Sequence, residues 1–166
     1  MKYFNWFKNK IKERLSFGSE PDFFIVGAQK CGTTSLYYYI EKYALNFRTP
    51  IDKELYFFSE NYHKGLNYYR AKFPIFKFNK LTGEATPDYI YYHRAPDLIK
   101  KDFPNSKIVI VLRDPAERAY SQYNHQNFTR KTIGYDPLSF SKAIREGRDR
   151  FHISPKSDFF HEYKYY

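Results

Sequence analysis

Two stretches of the chain are apolar without a break and too short to be helices: Phe23 to Val26 within "DFFIVG", and Ile108 to Leu112 within "KIVIVL". A strand covered on both faces shows such a run, where a half-buried strand would alternate. Both stretches therefore predict buried parallel strands. After the first, "TTSLYYYIEKYAL" from Thr33 places Leu36, Tyr39, Ile40 and Tyr43 at helical spacing, which predicts a helix with those four facing the core. After the second, "RDPAERAYSQYNHQNF" opens a helix, with Asp114 as cap and Pro115 at the first helical position. "DPLSFSKAIREG" repeats that start, with Asp136 as cap and Gly147 as stop.

The middle of the chain is less regular. "KELYFF" (Lys53 to Phe58) predicts a short strand or a strand-like turn, and "NYHKGLNYYRAKFP" a helix ending before Pro74. "KLTGEATPDYI" combines turn chemistry with a helix start, and "APDLIKKDFPNS" predicts a helix with a proline stop. Strands alternating with helices imply an α/β fold with a parallel sheet covered on both faces. Ligands on such sheets bind at the carboxyl ends of the strands. There is no internal repeat, low-complexity tract or interdomain linker. The expected organisation is one domain over residues 21–166, preceded by a basic segment over residues 1–20.

Composition narrows the partners. At 166 residues the chain can bury one core. Its 18 Tyr and 17 Phe are what an AT-rich genome favours, a simpler reading than an aromatic binding surface. The formal net charge of +10 attracts polyanions such as nucleotides, acidic sugars, nucleic acids or membranes without choosing among them. One cysteine permits no intrachain disulfide and no cysteine-built metal site, which suits a reducing, cytoplasmic setting. No apolar run is long enough to span a membrane, and the N-terminus has no signal-peptide pattern. Tyr3, Phe7, Ile11 and Leu15 do recur at helical spacing among Lys8, Lys10, Lys12 and Arg14. That pattern suits peripheral contact with an anionic membrane through residues 1–15, or docking on the chain's own domain.

Three constellations carry candidate chemistry. In the first, Gly27 and Gly32 have the spacing of a phosphate-binding loop between a strand and a helix. The free amides and dipole of the helix start favour an anion. Thr33, Thr34 and Ser35 add hydroxyl donors, and Lys30 adds charge from inside the loop. Thr33 stands where a nucleoside-triphosphate loop has its lysine. In the second, Arg113 ends a strand, where its guanidinium can hold a phosphate bidentately or pair with Asp114 or Glu117, and Ser121 follows two turns along the next helix. In the third, Glu54 lies beside an apolar aromatic run, as a general base or as a surface acid. The histidines show no metal-ligand spacing, and Cys31 is taken as a small loop residue.

"PDFFIVGAQKCGTTSLYYYI", "KELYFF" and "KIVIVLRDPAERAYSQYNH", in this order, resemble the sulfotransferases that use 3'-phosphoadenosine 5'-phosphosulfate (PAPS), closest to the branch acting on heparan sulfate and other carbohydrates. "GEATPDYIYY" also resembles that branch, and the likeness runs from about Pro21 to the end of the chain. The resemblance implies a P-loop NTPase-like three-layer fold, a central parallel sheet flanked by helices. It implies PAPS as donor, adenosine 3',5'-bisphosphate (PAP) as product, and no metal. Gly27 to Ser35 would bind the 5'-phosphosulfate, with Gly27 and Gly32 shaping the loop, Lys30 neutralising the leaving group, and Thr33, Thr34 and Ser35 holding the 5'-phosphate. Arg113 and Ser121 match the pair that clamps the 3'-phosphate, and Glu54 matches the general base. The acceptor would be a hydroxyl or amine of a carbohydrate, an anionic one included. Members of this family continue past "HEYKYY", so the expectation is a domain incomplete at its C-terminus.

Three rivals stand beside this reading. A magnesium-dependent nucleotide kinase or NTPase needs a lysine at position 33 and a metal-binding acid. Asp114 is better explained as a helix cap. A polyanion or nucleic-acid binder fits the charge, but no RNA- or DNA-binding motif appears, so nucleic acid is not expected as a partner. An inactive, truncated nucleotide-binding relative is the third.

Overall fold

Along the strand Phe23–Gly27, β1, side chains alternate between two apolar layers. Phe24 and Val26 join a cluster with Leu55, Phe57, Phe58, Tyr69, Phe73, Tyr89, Ala95, Ile99 and Phe103. Phe23 and Ile25 pack in another with Tyr37, Phe47, Ala85, Leu36 and Ile40. This two-sided burial is the physical cause of the unbroken apolar run. The computed structural model describes residues 18–132, 134 and 139–145, and the chain divides into two compact units, residues 1–113 and 114–166.

In the first unit β1 is central. The strand Gly83–Ala85, β2, pairs with it in parallel on one side, Phe24 opposite Glu84. The strand Lys107–Ile110, β3, pairs in parallel on the other, Ile25 opposite Val109, with a bulge between Ile25 and Gly27. One layer against this sheet is the helix Thr33–Tyr43, α1. The opposite layer holds a π-helical turn, Phe57–Asn61, a short 3-10 turn, Tyr62–Lys64, and the helices Gly65–Arg70, α2, and Ala95–Asp102, α3. A parallel sheet flanked by helices is the predicted fold, at least over these residues.

Four local expectations are corrected. Tyr39 and Tyr43 are 63% and 64% exposed, and it is Tyr37, at 3%, that is buried. Its ring meets Phe47 edge-on, with centroids 6.1 Å apart, which turns the buried stripe of α1 onto Leu36, Tyr37 and Ile40. "KELYFF" forms no strand; Glu54 and Tyr56 take left-handed backbone angles and lead into the π-helical turn. "GEA" is a strand, β2, where a turn was expected, and the helix start after it is a single 3-10 turn, Pro87–Ile90. β3 is apolar on both faces but covered on one. Val109 and, just past the strand, Val111 pack on the α1 side, whereas Ile108 and Ile110 are about half exposed; β3 is an edge strand of the sheet among the described residues.

The second unit contains the helices Pro115–Thr132, α4, and Phe140–Arg145, α5. Asp114 does cap α4: its Oδ1 accepts from the Glu117 amide at 2.9 Å. At α5 the Ser139 hydroxyl oxygen accepts from the Lys142 amide at 3.3 Å. The expected cap Asp136, the stop Gly147 and the amphipathic segment at residues 1–15 lie outside the described residues. No helix among the described residues is long and apolar enough to cross a membrane.

Candidate active site

Three loops of the first unit meet at the carboxyl end of the sheet, and each is tied to a strand. The loop after β1 begins beside β3: the Ala28 amide donates to the Val111 carbonyl at 2.9 Å, and the Val111 amide to the Gly27 carbonyl at 2.7 Å. Arg113 follows two residues later. Gly27 is needed for close approach, since a Cβ there would lie 2.6 Å from Ile90 Cγ2. The loop then turns through Lys30 at φ 65° and Gly32 at φ 89°, a left-handed region that glycine enters freely and lysine does not. A non-glycine residue held there marks a backbone constrained by its surroundings.

Gly32 is the N-cap of α1 and brings no capping side chain, and the first turn of α1 carries no acid. The first intrahelical bond runs from the Leu36 amide to the Gly32 carbonyl at 3.0 Å. The amides of Thr33 to Ser35 thus precede the helical ladder and present a positive dipole end. Thr33 is buried, while Thr34 and Ser35 are exposed beside the half-buried Lys30. Amides, hydroxyls and an ammonium form a donor-rich set with no carboxylate in it, which fits an anion and fits phosphate well.

The second loop carries Glu54. Its amide donates to the Ala85 carbonyl at 3.2 Å, at the end of β2. Its carboxylate pairs with Lys53 through Oε1 and accepts from the Tyr56 hydroxyl at Oε2, 2.7 Å away. Glu54, like Tyr56, has positive φ (61° and 49°). Burial, and then the bond to Glu54, push the Tyr56 phenol far above its ordinary value, so Tyr56 remains a donor over the whole physiological range.

The third loop is the 3-10 turn after β2. Asp88 there accepts from the Gln29 side-chain amide, which joins this turn to the loop after β1. Burial pushes the Asp88 carboxyl above the ordinary carboxylate range; the Gln29 bond opposes the shift and the nearby Glu54 charge adds to it. Glu60 is raised as well, by burial first and then by Asp88, against the pull of Lys64. The loop after β1, Asp88 and Glu54 therefore share one electrostatic neighbourhood.

Gly27, Lys30, Gly32, Thr33, Thr34, Ser35, Glu54 and Arg113 all lie at this end of the sheet. Ser121 lies about two turns into α4, in the second unit. Sequence reasoning missed Lys53 and Tyr56 as partners of Glu54, and Gln29 and Asp88 as a bridge. The first two were adjacent in "KELYFF"; the bridge spans 59 residues and left no local signal. Among the described residues no three His, Cys, Asp or Glu side chains gather as a metal site. A separate hollow, lined by Pro21, Asp22, Lys77 and Asn105, sits at the amino ends of the strands and contains none of the site residues.

Comparison with known proteins identifies the family. The family model described as "Sulfotransferase domain" matches residues 20–163. The membrane-associated sulfotransferase kil1 of Dictyostelium discoideum is 34% identical over 134 residues, covering 78% of this chain and 28% of that protein. The bifunctional heparan sulfate N-deacetylase/N-sulfotransferase 3 of Homo sapiens is 36% identical over 129 residues, covering 73% of this chain and 14% of that protein. The chain thus spans less than a third of the length of these curated relatives. Among solved structures, a sulfotransferase from Alicyclobacillus acidocaldarius superposes with a TM-score of 0.61 at 30% identity, over 77% of this chain and 57% of that one.

Proposed function

This chain belongs to the sulfotransferase family, and on that premise we propose that it transfers a sulfuryl group from PAPS to a hydroxyl or amine of a carbohydrate-type acceptor, releasing PAP. The observation that carries the reading is the acid-free start of α1, capped by left-handed Gly32 and flanked by Lys30, next to a tethered Glu54. The donor, when bound, supplies an activated sulfuryl group. The residues of this chain do the rest.

The amides and hydroxyls of Thr33, Thr34 and Ser35 would hold the 5'-phosphate. Lys30 would neutralise charge building on the leaving side, the kind of preorganised stabilisation that dominates many enzyme rates. By the family resemblance, Arg113 and Ser121 would hold the 3'-phosphate and so separate PAPS from ATP. Glu54, oriented by Lys53 and Tyr56, would take the proton of the attacking hydroxyl or amine. The human relative is named for heparan sulfate, which supports a carbohydrate acceptor here, and a chain of net charge +10 favours an anionic one. The basic amphipathic pattern of residues 1–15 supports peripheral contact with anionic membranes, which flotation with phosphatidylserine vesicles tests.

Calorimetric titration with PAP, without metal and beside ATP with magnesium, tests the donor site. PAP binding that needs no metal supports it. Binding that occurs only with magnesium and ATP moves the reading to a nucleotide kinase, which the threonine at position 33 argues against.

A further inference from the structure

We propose that Glu84 is a positioning residue for the proposed general base: with Tyr89 it fixes the backbone of residues 54–58, and so aims Glu54 at the acceptor. This rests on the reading of Glu54 as base.

Glu84 faces the aromatic layer of the core from β2 and is fully buried. An acid in such a place needs partners, and it has three. The hydroxyls of Thr86 and Tyr89 each donate to Oε1 at 2.6 Å, and the Tyr69 hydroxyl donates to Oε2. The Tyr89 hydroxyl, having given its proton to Glu84, accepts from the amides of Phe57 at 2.9 Å and Phe58 at 3.3 Å. With the bond from the Glu54 amide to Ala85, the amides of residues 54, 57 and 58 all end on β2 or the turn after it.

The arrangement is directional. Only an acceptor at position 84 orients the Tyr89 proton inward, which leaves that oxygen's lone pairs for the two amides. The segment it holds is irregular: left-handed at Glu54 and Tyr56, then π-helical. Such backbone persists where its surroundings over-determine it. A core that needed only stability could fill this place with an apolar side chain at less desolvation cost.

The test uses the full chain and the variants Tyr89→Phe, Glu84→Gln, Glu54→Gln and Tyr89→Phe/Glu54→Gln. Hydrogen exchange should quicken at amides 55–58 in Tyr89→Phe and stay unchanged over residues 28–36, with PAP affinity by calorimetry unaltered. With PAPS and N-desulfated heparan sulfate, kcat should fall on the order of 10²-fold and KM for PAPS should hold. That loss should vanish in the Glu54→Gln background, since both changes would act through one group. Unchanged exchange at 55–58, or a Tyr89→Phe loss that persists in full beside Glu54→Gln, overturns the proposal. Equal loosening of residues 28–36 overturns it too, because the network would then be plain scaffolding. Full turnover in Glu54→Gln alone instead removes the base assignment, and hydrogen exchange then decides whether the network holds the segment. If Glu84→Gln does not fold, Tyr89→Phe, which keeps the ring, carries the test.

Discussion

The Tyr56 hydroxyl donates to Glu54 Oε2 at 2.7 Å while Lys53 pairs with the other carboxylate oxygen. The carboxylate proposed to take the acceptor proton is therefore oriented in the protein's own structure. Glu54→Gln should retain PAP affinity and lose on the order of 10²- to 10⁴-fold in turnover, the usual range for a general base. Tyr56→Phe, which removes one orienting bond and leaves the base, should lose less. Steady-state rates beside PAP calorimetry check both; a Glu54→Gln protein at full turnover would falsify the assignment.

Arg113 is proposed to read the 3'-phosphate. Arg113→Ala should weaken PAP binding by roughly 10- to 100-fold, the worth of a charge-assisted bond of about 1.5–3 kcal/mol, and leave the affinity for 5'-AMP nearly unchanged. Parallel titrations with the two nucleotides measure the ratio. Equal weakening of both would assign Arg113 to the shape of the fold.

Gly27 and Ile90 are in tight apposition. Gly27→Ala puts a methyl group 2.6 Å from Ile90 Cγ2, and overpacking of this kind costs about 1–3 kcal/mol. Thermal melts should show that loss and its partial recovery in Gly27→Ala/Ile90→Ala. Absence of recovery would place the strain in the loop backbone.

Burial raises the phenols of Tyr37, Tyr56, Tyr69 and Tyr89, with nearby acids adding to it. Above about pH 10, where a free tyrosine ionises, the folded state keeps protons that the unfolded state has lost. Their stabilising contribution is complete below that pH and disappears as pH rises toward the folded values. Alkaline unfolding should follow, with a late fraction of the tyrosinate absorbance appearing together with loss of circular dichroism. Release of all the tyrosinate signal before unfolding contradicts this.

The elements legible from the sequence were those whose cause is local. Phe23 to Val26 declared a doubly covered strand, Gly27 and Gly32 a glycine turn from strand to helix, Asp114 and Pro115 a helix start, and the structure has each of them. β2 was not legible: three residues are too few to show a period, and its central acid argued against a core strand. Glu84 is tolerated only because Tyr69, Thr86 and Tyr89 bring hydroxyls to it. In "LYYYI" three adjacent tyrosines fit more than one helical face, and the position of Phe47 chose Tyr37. The left-handed turns at Glu54 and Tyr56 had no glycine to announce them, since distant acceptors on β2 and Tyr89 impose them. The sequence by itself thus determined the central strand, the glycine-capped helix start after it and the family, all set by neighbours in the chain. Tertiary structure alone decided which face of α1 is buried, what holds Glu54, and how an acid enters the core, because burial and hydrogen-bond satisfaction are settled by residues far apart in the chain.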